Sequence, residues 1–107
     1  MWLCTQHGFF SIVQKKPGEF HIRGRLRADM ENLVKLCGAD WTIIETKSGD
    51  YRYRIVCGQN EVTDVLAKLA TSIDYVNFKS RIHSKGDQAD KSAAYSKLWG
   101  NLYDLQT

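Results

Sequence analysis

A chain of 107 residues with 43% apolar content suits one compact domain with a real core, expected here to span residues 1–107. Fifteen Lys and Arg against twelve Asp and Glu leave a net charge of +3, too small for a polycation that coats nucleic acid by charge alone. No apolar run is long enough to span a membrane, and Met1–Phe10 lacks the basic head and long apolar stretch of a secretory leader, so a cytoplasmic protein is expected.

Gly8 to Lys16 reads as a strand, with a further short strand at Trp2–Thr5 as an option. Pro17-Gly18-Glu19 is a turn signal, and a strand from Phe20 to Arg27 follows it to complete a hairpin. Asp29 suits the N-cap of a helix whose apolar positions are Met30, Leu33, Val34 and Cys37, and Gly38 is placed to end it. Trp41–Thr46 is rich in β-formers, Ser48-Gly49-Asp50 marks a second turn, and Tyr51–Cys57 is the next strand. Asn60 then caps a helix with Val62, Val65, Leu66, Leu69 and Ile73 on one side, the clearest helical spacing in the chain. Tyr75–His83 is a short helix or an ordered loop, Ser84–Asp90 is polar, and a last helix carries Tyr95, Leu98, Trp99, Leu102 and Leu105 along one stripe.

The order strand, strand, helix, strand, strand, helix predicts an α+β fold with a four-stranded, mainly antiparallel sheet. Its economical arrangement is a permuted ferredoxin-like plait in the spatial order one, two, four, three, with strand four parallel to strand two. Two helices then cover one face, and the C-terminal helix is an addition.

The strand from Phe20 carries the main chemical signal. Phe20, Ile22, Gly24 and Leu26 take one parity; His21, Arg23, Arg25 and Arg27 take the other, so four basic groups stand in a row opposite the core. Arg52 and Arg54 share a parity on the neighbouring strand, with Tyr51, Tyr53, Ile55 and Cys57 turned inward. A guanidinium fork holds phosphate or carboxylate through two hydrogen bonds, so this face points to an anion. The competing reading pairs Arg23, Arg25 and Arg27 with Asp29, Glu45, Asp50 or Asp104.

Tyr75, Asn77 and Lys79 are candidates for lining a pocket, against a reading in which Asn77 caps a helix and Tyr75 closes a core. Tyr95 and Trp99 are candidates for a protein interface, against a reading in which the stripe is core. No catalytic residue is assigned: His7, His21 and His83 lack an acidic partner at a telling spacing, and a pairing of His7 with Ser11 has no supporting motif. Cys4, Cys37 and Cys57 are widely spaced and form no Cys-x-x-Cys pair, so reduced thiols, no metal site and no cofactor are expected.

Several stretches together carry a resemblance. They are Met1–Thr5, Gly8–Val13, Arg23-Gly24-Arg25-Leu26-Arg27-Ala28-Asp29, Asp50-Tyr51-Arg52-Tyr53-Arg54, Ile73–Lys79, and Tyr95 with Trp99. Over nearly its whole length the chain resembles a widespread family of roughly hundred-residue bacterial proteins with no assigned activity. It departs from the family's usual Phe at Cys4. The resemblance implies a stand-alone cytoplasmic domain and joins the two arginine segments and the Asp74–Lys79 segment into one pattern. It carries no reaction, cofactor or ligand.

Three functions are consistent with these features. The first is binding of an anionic partner, nucleic acid foremost, through His21, Arg23, Arg25, Arg27, Arg52 and Arg54. The second is a protein-interaction or inhibitor-like module, or a homodimer, acting through Tyr95 and Trp99. The third is an enzyme with a pocket beside Asp74–Lys79.

Overall fold

The computed structural model describes residues 1–106. The chain forms β1 (Trp2–Thr5), β2 (Gly8–Lys16), β3 (Glu19–Gly24), α1 (Arg27–Cys37), β4 (Ile44–Glu45), β5 (Tyr53–Cys57), α2 (Gln59–Thr71), α3 (Phe78–Ser84) and α4 (Ser92–Tyr103). Short 3₁₀ turns at Ala89–Lys91 and Asp104–Gln106 flank α4. It is an α+β fold with an open antiparallel sheet, and it divides into two compact units, Met1–Ile73 and a second from Asp74 onward.

The sheet has five strands rather than four, in the order β1-β2-β3-β5-β4. The optional strand at Trp2–Thr5 forms and pairs with β2 along its whole length. Every neighbouring pair is antiparallel, including β3 with β5, which were expected to run parallel. The reason lies in the connections. The α1 crossover brings the chain back so that β4 runs along β3, and β5, the hairpin partner of β4, must then run against both.

Three positions show how local chemistry fixes these elements. Gly8 starts β2 at φ +157°, and a Cβ there would lie 2.5 Å from the Asp29 Cβ. Only glycine allows the approach. Asp29 was expected to cap α1, but the helix begins two residues earlier, after Leu26 in an extended conformation. Asp29 instead sits buried in the first turn, an acidic residue near the positive end of the helix, and accepts the Phe9 N–H at 3.3 Å. Gly38 ends α1 as expected, in the left-handed region at φ 61°.

Within Met1–Ile73 the strand register sorts the side chains. Phe10, Ile12, Ile22, Ile55 and Cys57 face α1 and α2, where they meet Met30, Leu33, Cys37, Val62, Val65 and Leu69. Phe10, Ile22, Met30, Leu33 and Val65 are fully buried, each worth roughly 1.5–3 kcal/mol in removal from water. The other face carries Ser11, Val13, His21, Arg23, Arg54 and Val56 at paired register positions.

The second unit is built around α3 and α4. Asn77 caps α3 by accepting the Ser80 N–H at 2.9 Å, Ile82 is fully buried, and the Phe78 ring lies 5.2 Å from that of Tyr95. Among the described residues no helix is long and apolar enough to cross a membrane.

Candidate anion-binding site

The six basic groups expected on one face separate into two sets, because the strands are shorter than the alternation implied. β3 stops at Gly24 and β5 starts at Tyr53, so Arg25, Arg27 and Arg52 lie outside the sheet. Only His21, Arg23 and Arg54 remain on the paired face.

Arg23 and Arg54 are directly opposite each other in the β3/β5 register. Like charges at such a pair are destabilising unless something compensates them. Arg23 donates from Nη2 to Ser11 Oγ at 2.8 Å, and Arg54 donates from Nη1 to His21 Nδ1 at 3.2 Å. Both partners are neutral acceptors. The Nε atoms of Arg23 and Arg54 are shielded from solvent and reach no protein acceptor among the described residues. Groups of this kind cost about 1–3 kcal/mol each when left unsatisfied.

Tyr51 completes this set. It was expected to point inward with Tyr53. Instead the segment between β4 and β5 turns so that the buried Tyr51 ring lies 4.4 Å from the Arg23 guanidinium and 4.3 Å from that of Arg25. Arg25 also donates from Nη1 to the Asp50 carbonyl. The electron-rich ring face favours cations and holds both guanidiniums without cancelling their charge.

Arg27 and Arg52 form the other set, around Tyr53, at 5.9 Å and 5.8 Å from its ring. Each is matched to a carboxylate: Arg27 to Glu31 at 3.2 Å along α1, and Arg52 to Glu45 at 2.8 Å. The hydrogen bond to Glu45 is the main reason the Arg52 pKa lies above its ordinary value. Neither pair is one the competing reading named: Arg27 takes Glu31, and Glu45 takes Arg52 instead of Arg23, Arg25 or Arg27. Asp29 is occupied by the Phe9 N–H, and Arg25 uses the Asp50 backbone rather than its carboxylate.

In the second unit, Tyr75 and Asn77 line an open cleft of about 430 Å³ with Asp74, Ser80, Arg81 and Ser84. An ion pair of Arg81 with Asp74 at 2.6 Å lies in its wall. Lys79 does not join them; its Nζ lies over the Trp99 ring at 4.3 Å. Tyr95 turns inward against Phe78, so Trp99 is the exposed member of the expected interface pair, followed along the helix by Leu102 and stacked on Tyr103. His7 meets the Ser72 hydroxyl at 3.0 Å and not Ser11. Cys4, Cys37 and Cys57 are free thiols, and burial raises the pKa of each, that of Cys57 to about 11, which keeps them protonated and poorly nucleophilic at neutral pH.

Sequence reasoning missed Ser11, Glu19 and Tyr51. Ser11 had a signal: it is the polar residue inside the run Phe9-Phe10-Ser11-Ile12-Val13 and shares the parity that meets Arg23. Tyr51 had none, because strand alternation continued through it. No protein-family model, curated protein or solved structure matches the chain.

Proposed function

We propose that this protein binds an anionic partner through the sheet face that carries Arg23, Arg54 and His21, with the phosphates of nucleic acid as the first partner to test. The observation that carries the reading is the Arg23/Arg54 register pair: two arginines opposite each other on neighbouring strands, with neutral partners and unpartnered Nε atoms. An oxyanion is the complement such a pair lacks. Arg25 adds a third cation, ordered by Tyr51. On this reading the sheet is a permuted ferredoxin-like plait extended by β1, and the protein is a cytoplasmic member of the widespread bacterial family it resembles. RNA-recognition-motif domains likewise bind through the central strands of a four-stranded sheet, although they stack bases on aromatic side chains.

The test is a fluorescence-anisotropy titration of single-stranded RNA, single-stranded DNA and duplex DNA at low and moderate salt. Binding that weakens steeply with salt and is lost in a folded Arg23→Ala/Arg54→Ala variant is the expected result. Binding that ignores salt, or survives that substitution, overturns the reading.

A second reading rests on α4, where Trp99, Leu102 and Tyr103 are each about half exposed. An exposed aromatic cluster of this kind suits a protein partner or a second copy. It predicts a solution mass that rises with concentration and falls back in Trp99→Ala; a strict monomer with no co-purifying protein counts against it.

A further inference from the structure

His21 is held between a carboxylate and a guanidinium. Its Nε2 lies 3.2 Å from Glu19 Oε2, and its Nδ1 lies 3.2 Å from Arg54 Nη1. Arginine has only donors, so Nδ1 must be the acceptor and Nε2 must carry the proton given to Glu19. The hydrogen-bond network thus assigns a neutral imidazole. Its side chain is only 13% exposed, so water does little to soften the charges around it.

Those charges are few. On β3 itself are Glu19 and Arg23; from β5 comes Arg54; from β2, Lys16 acts through its 3.6 Å pair with Glu19. The cross-strand neighbours Val13 and Val56 bring none. A second proton on His21 would occupy Nδ1 and set an N–H against the Arg54 N–H. Two guanidiniums and one carboxylate thus surround the ring. An oxyanion at Arg23 and Arg54 neutralises both cations and offers a lone pair to a new Nδ1–H donor.

The geometry also limits the number of anions. Within the sheet, the shielded donors without protein partners belong to Arg23 and Arg54, which share one register position instead of forming a track along the strands. We propose that the site binds a single oxyanion of sulfate or phosphate size between Arg23 and Arg54, and takes up one proton on His21 Nδ1 as it binds. This rests on the anion-binding reading and deepens it. Arg54 gives up His21 as an acceptor and turns to the anion; His21 changes from an acceptor into a third donor.

Sulfate is the probe, because it remains a dianion over the range in which an imidazole titrates. Isothermal titration of the full chain with sodium sulfate, at constant ionic strength from about pH 5.5 to about pH 8, reads the coupling directly. While His21 is neutral, affinity is expected to rise about tenfold for each unit of pH lost, with a heat that scales with the buffer's ionisation enthalpy as one proton is taken up. His21→Gln, confirmed as folded by circular dichroism, is expected to bind sulfate with no pH slope. Glu19→Gln, which removes the one carboxylate favouring the imidazolium, is expected to move the slope to lower pH without abolishing it. Wild-type sulfate binding that is independent of pH, an unchanged slope in His21→Gln, or no sulfate binding at any pH overturns the proposal. Salt-sensitive oligonucleotide binding that is lost in Arg23→Ala/Arg54→Ala would still uphold the anion reading in each case; loss of both would end both.

Discussion

Arg23 and Arg54 lean on a serine hydroxyl and an imidazole, whereas Arg27 and Arg52 lean on carboxylates. All four lie within a few residues of one another on adjacent chain segments, and all four carry the same charge. The first pair keeps its charge available and stays partly buried; the second spends its charge locally and is exposed. Tyrosines mark the same division, with Tyr51 beside Arg23 and Arg25, and Tyr53 beside Arg27 and Arg52. Residue type therefore does not separate the two pairs. What does is whether a cation's partners compensate it: exposed ion pairs are worth little, while a shielded, unmatched guanidinium has free energy to gain from any acceptor it meets.

The largest expected effect tests that contrast at constant net charge. Arg23→Ala/Arg54→Ala and Arg27→Ala/Arg52→Ala each remove two positive charges. The first is expected to weaken oligonucleotide binding by about 30-fold or more at low salt, the second by less than about threefold, since charge-assisted hydrogen bonds are worth about 1.5–3 kcal/mol and long-range charge is screened. Equal losses in parallel anisotropy titrations would mean that only overall charge matters, and the distinction between the sets would fall. A smaller effect is expected at Tyr51. Replacing its ring with Leu keeps the site apolar but removes the face that orders Arg23 and Arg25, and should weaken binding about threefold to tenfold. Tyr53→Leu should leave binding unchanged in the same titration.

Much of this organisation was legible in the sequence, and the failures share a cause. Apolar parity from Phe20 to Gly24 placed Ile22 in the core and Arg23 opposite it, as found. The same alternation was carried on through Arg25 and Arg27, although Asp29 had already signalled a helix whose first turn reaches back to Arg27. Periodicity says which face a residue takes while the strand lasts; it does not say where the strand stops. Arg52 and Tyr51 were misplaced for the same reason at the start of β5. The middle of the sheet erred differently. The strand order came out right, but relative direction depends on where the crossover delivers the chain, and no residue in β3 or β5 encodes that alone. The Glu19–His21–Arg54 chain was invisible because it joins residues two apart on one strand to a third 33 positions away from His21.

Stability offers the reverse of the binding contrast. A charge left uncompensated should cost the free protein something. Arg54→Met removes one of two opposed guanidiniums and an unpartnered Nε while keeping the length of the side chain, so it is expected to stabilise the fold by about 1 kcal/mol in urea unfolding. His21 loses a donor in exchange, but its Nε2–H keeps Glu19. A destabilised Arg54→Met would show that the pair supports the sheet and serves a structural role.

The smallest expected effect belongs to the carboxylate-matched set. Glu45→Gln leaves Arg52 with a neutral acceptor in place of a carboxylate 2.8 Å away, at the exposed edge formed by β4. An exposed ion pair gains little Coulomb energy in water and gives up side-chain freedom to hold its geometry, so the midpoint of thermal unfolding should move by no more than about 2 °C. The informative readout is binding. With Glu45 neutral, Arg52 becomes a cation with a neutral partner, the state that Arg23 and Arg54 already have. If uncompensated charge is what recruits an anion, Glu45→Gln should strengthen oligonucleotide binding at low salt by about twofold, and the gain should vanish as salt rises. A gain that persists at high salt would instead require a direct contact from this edge, placing Arg52 inside the site rather than beside it.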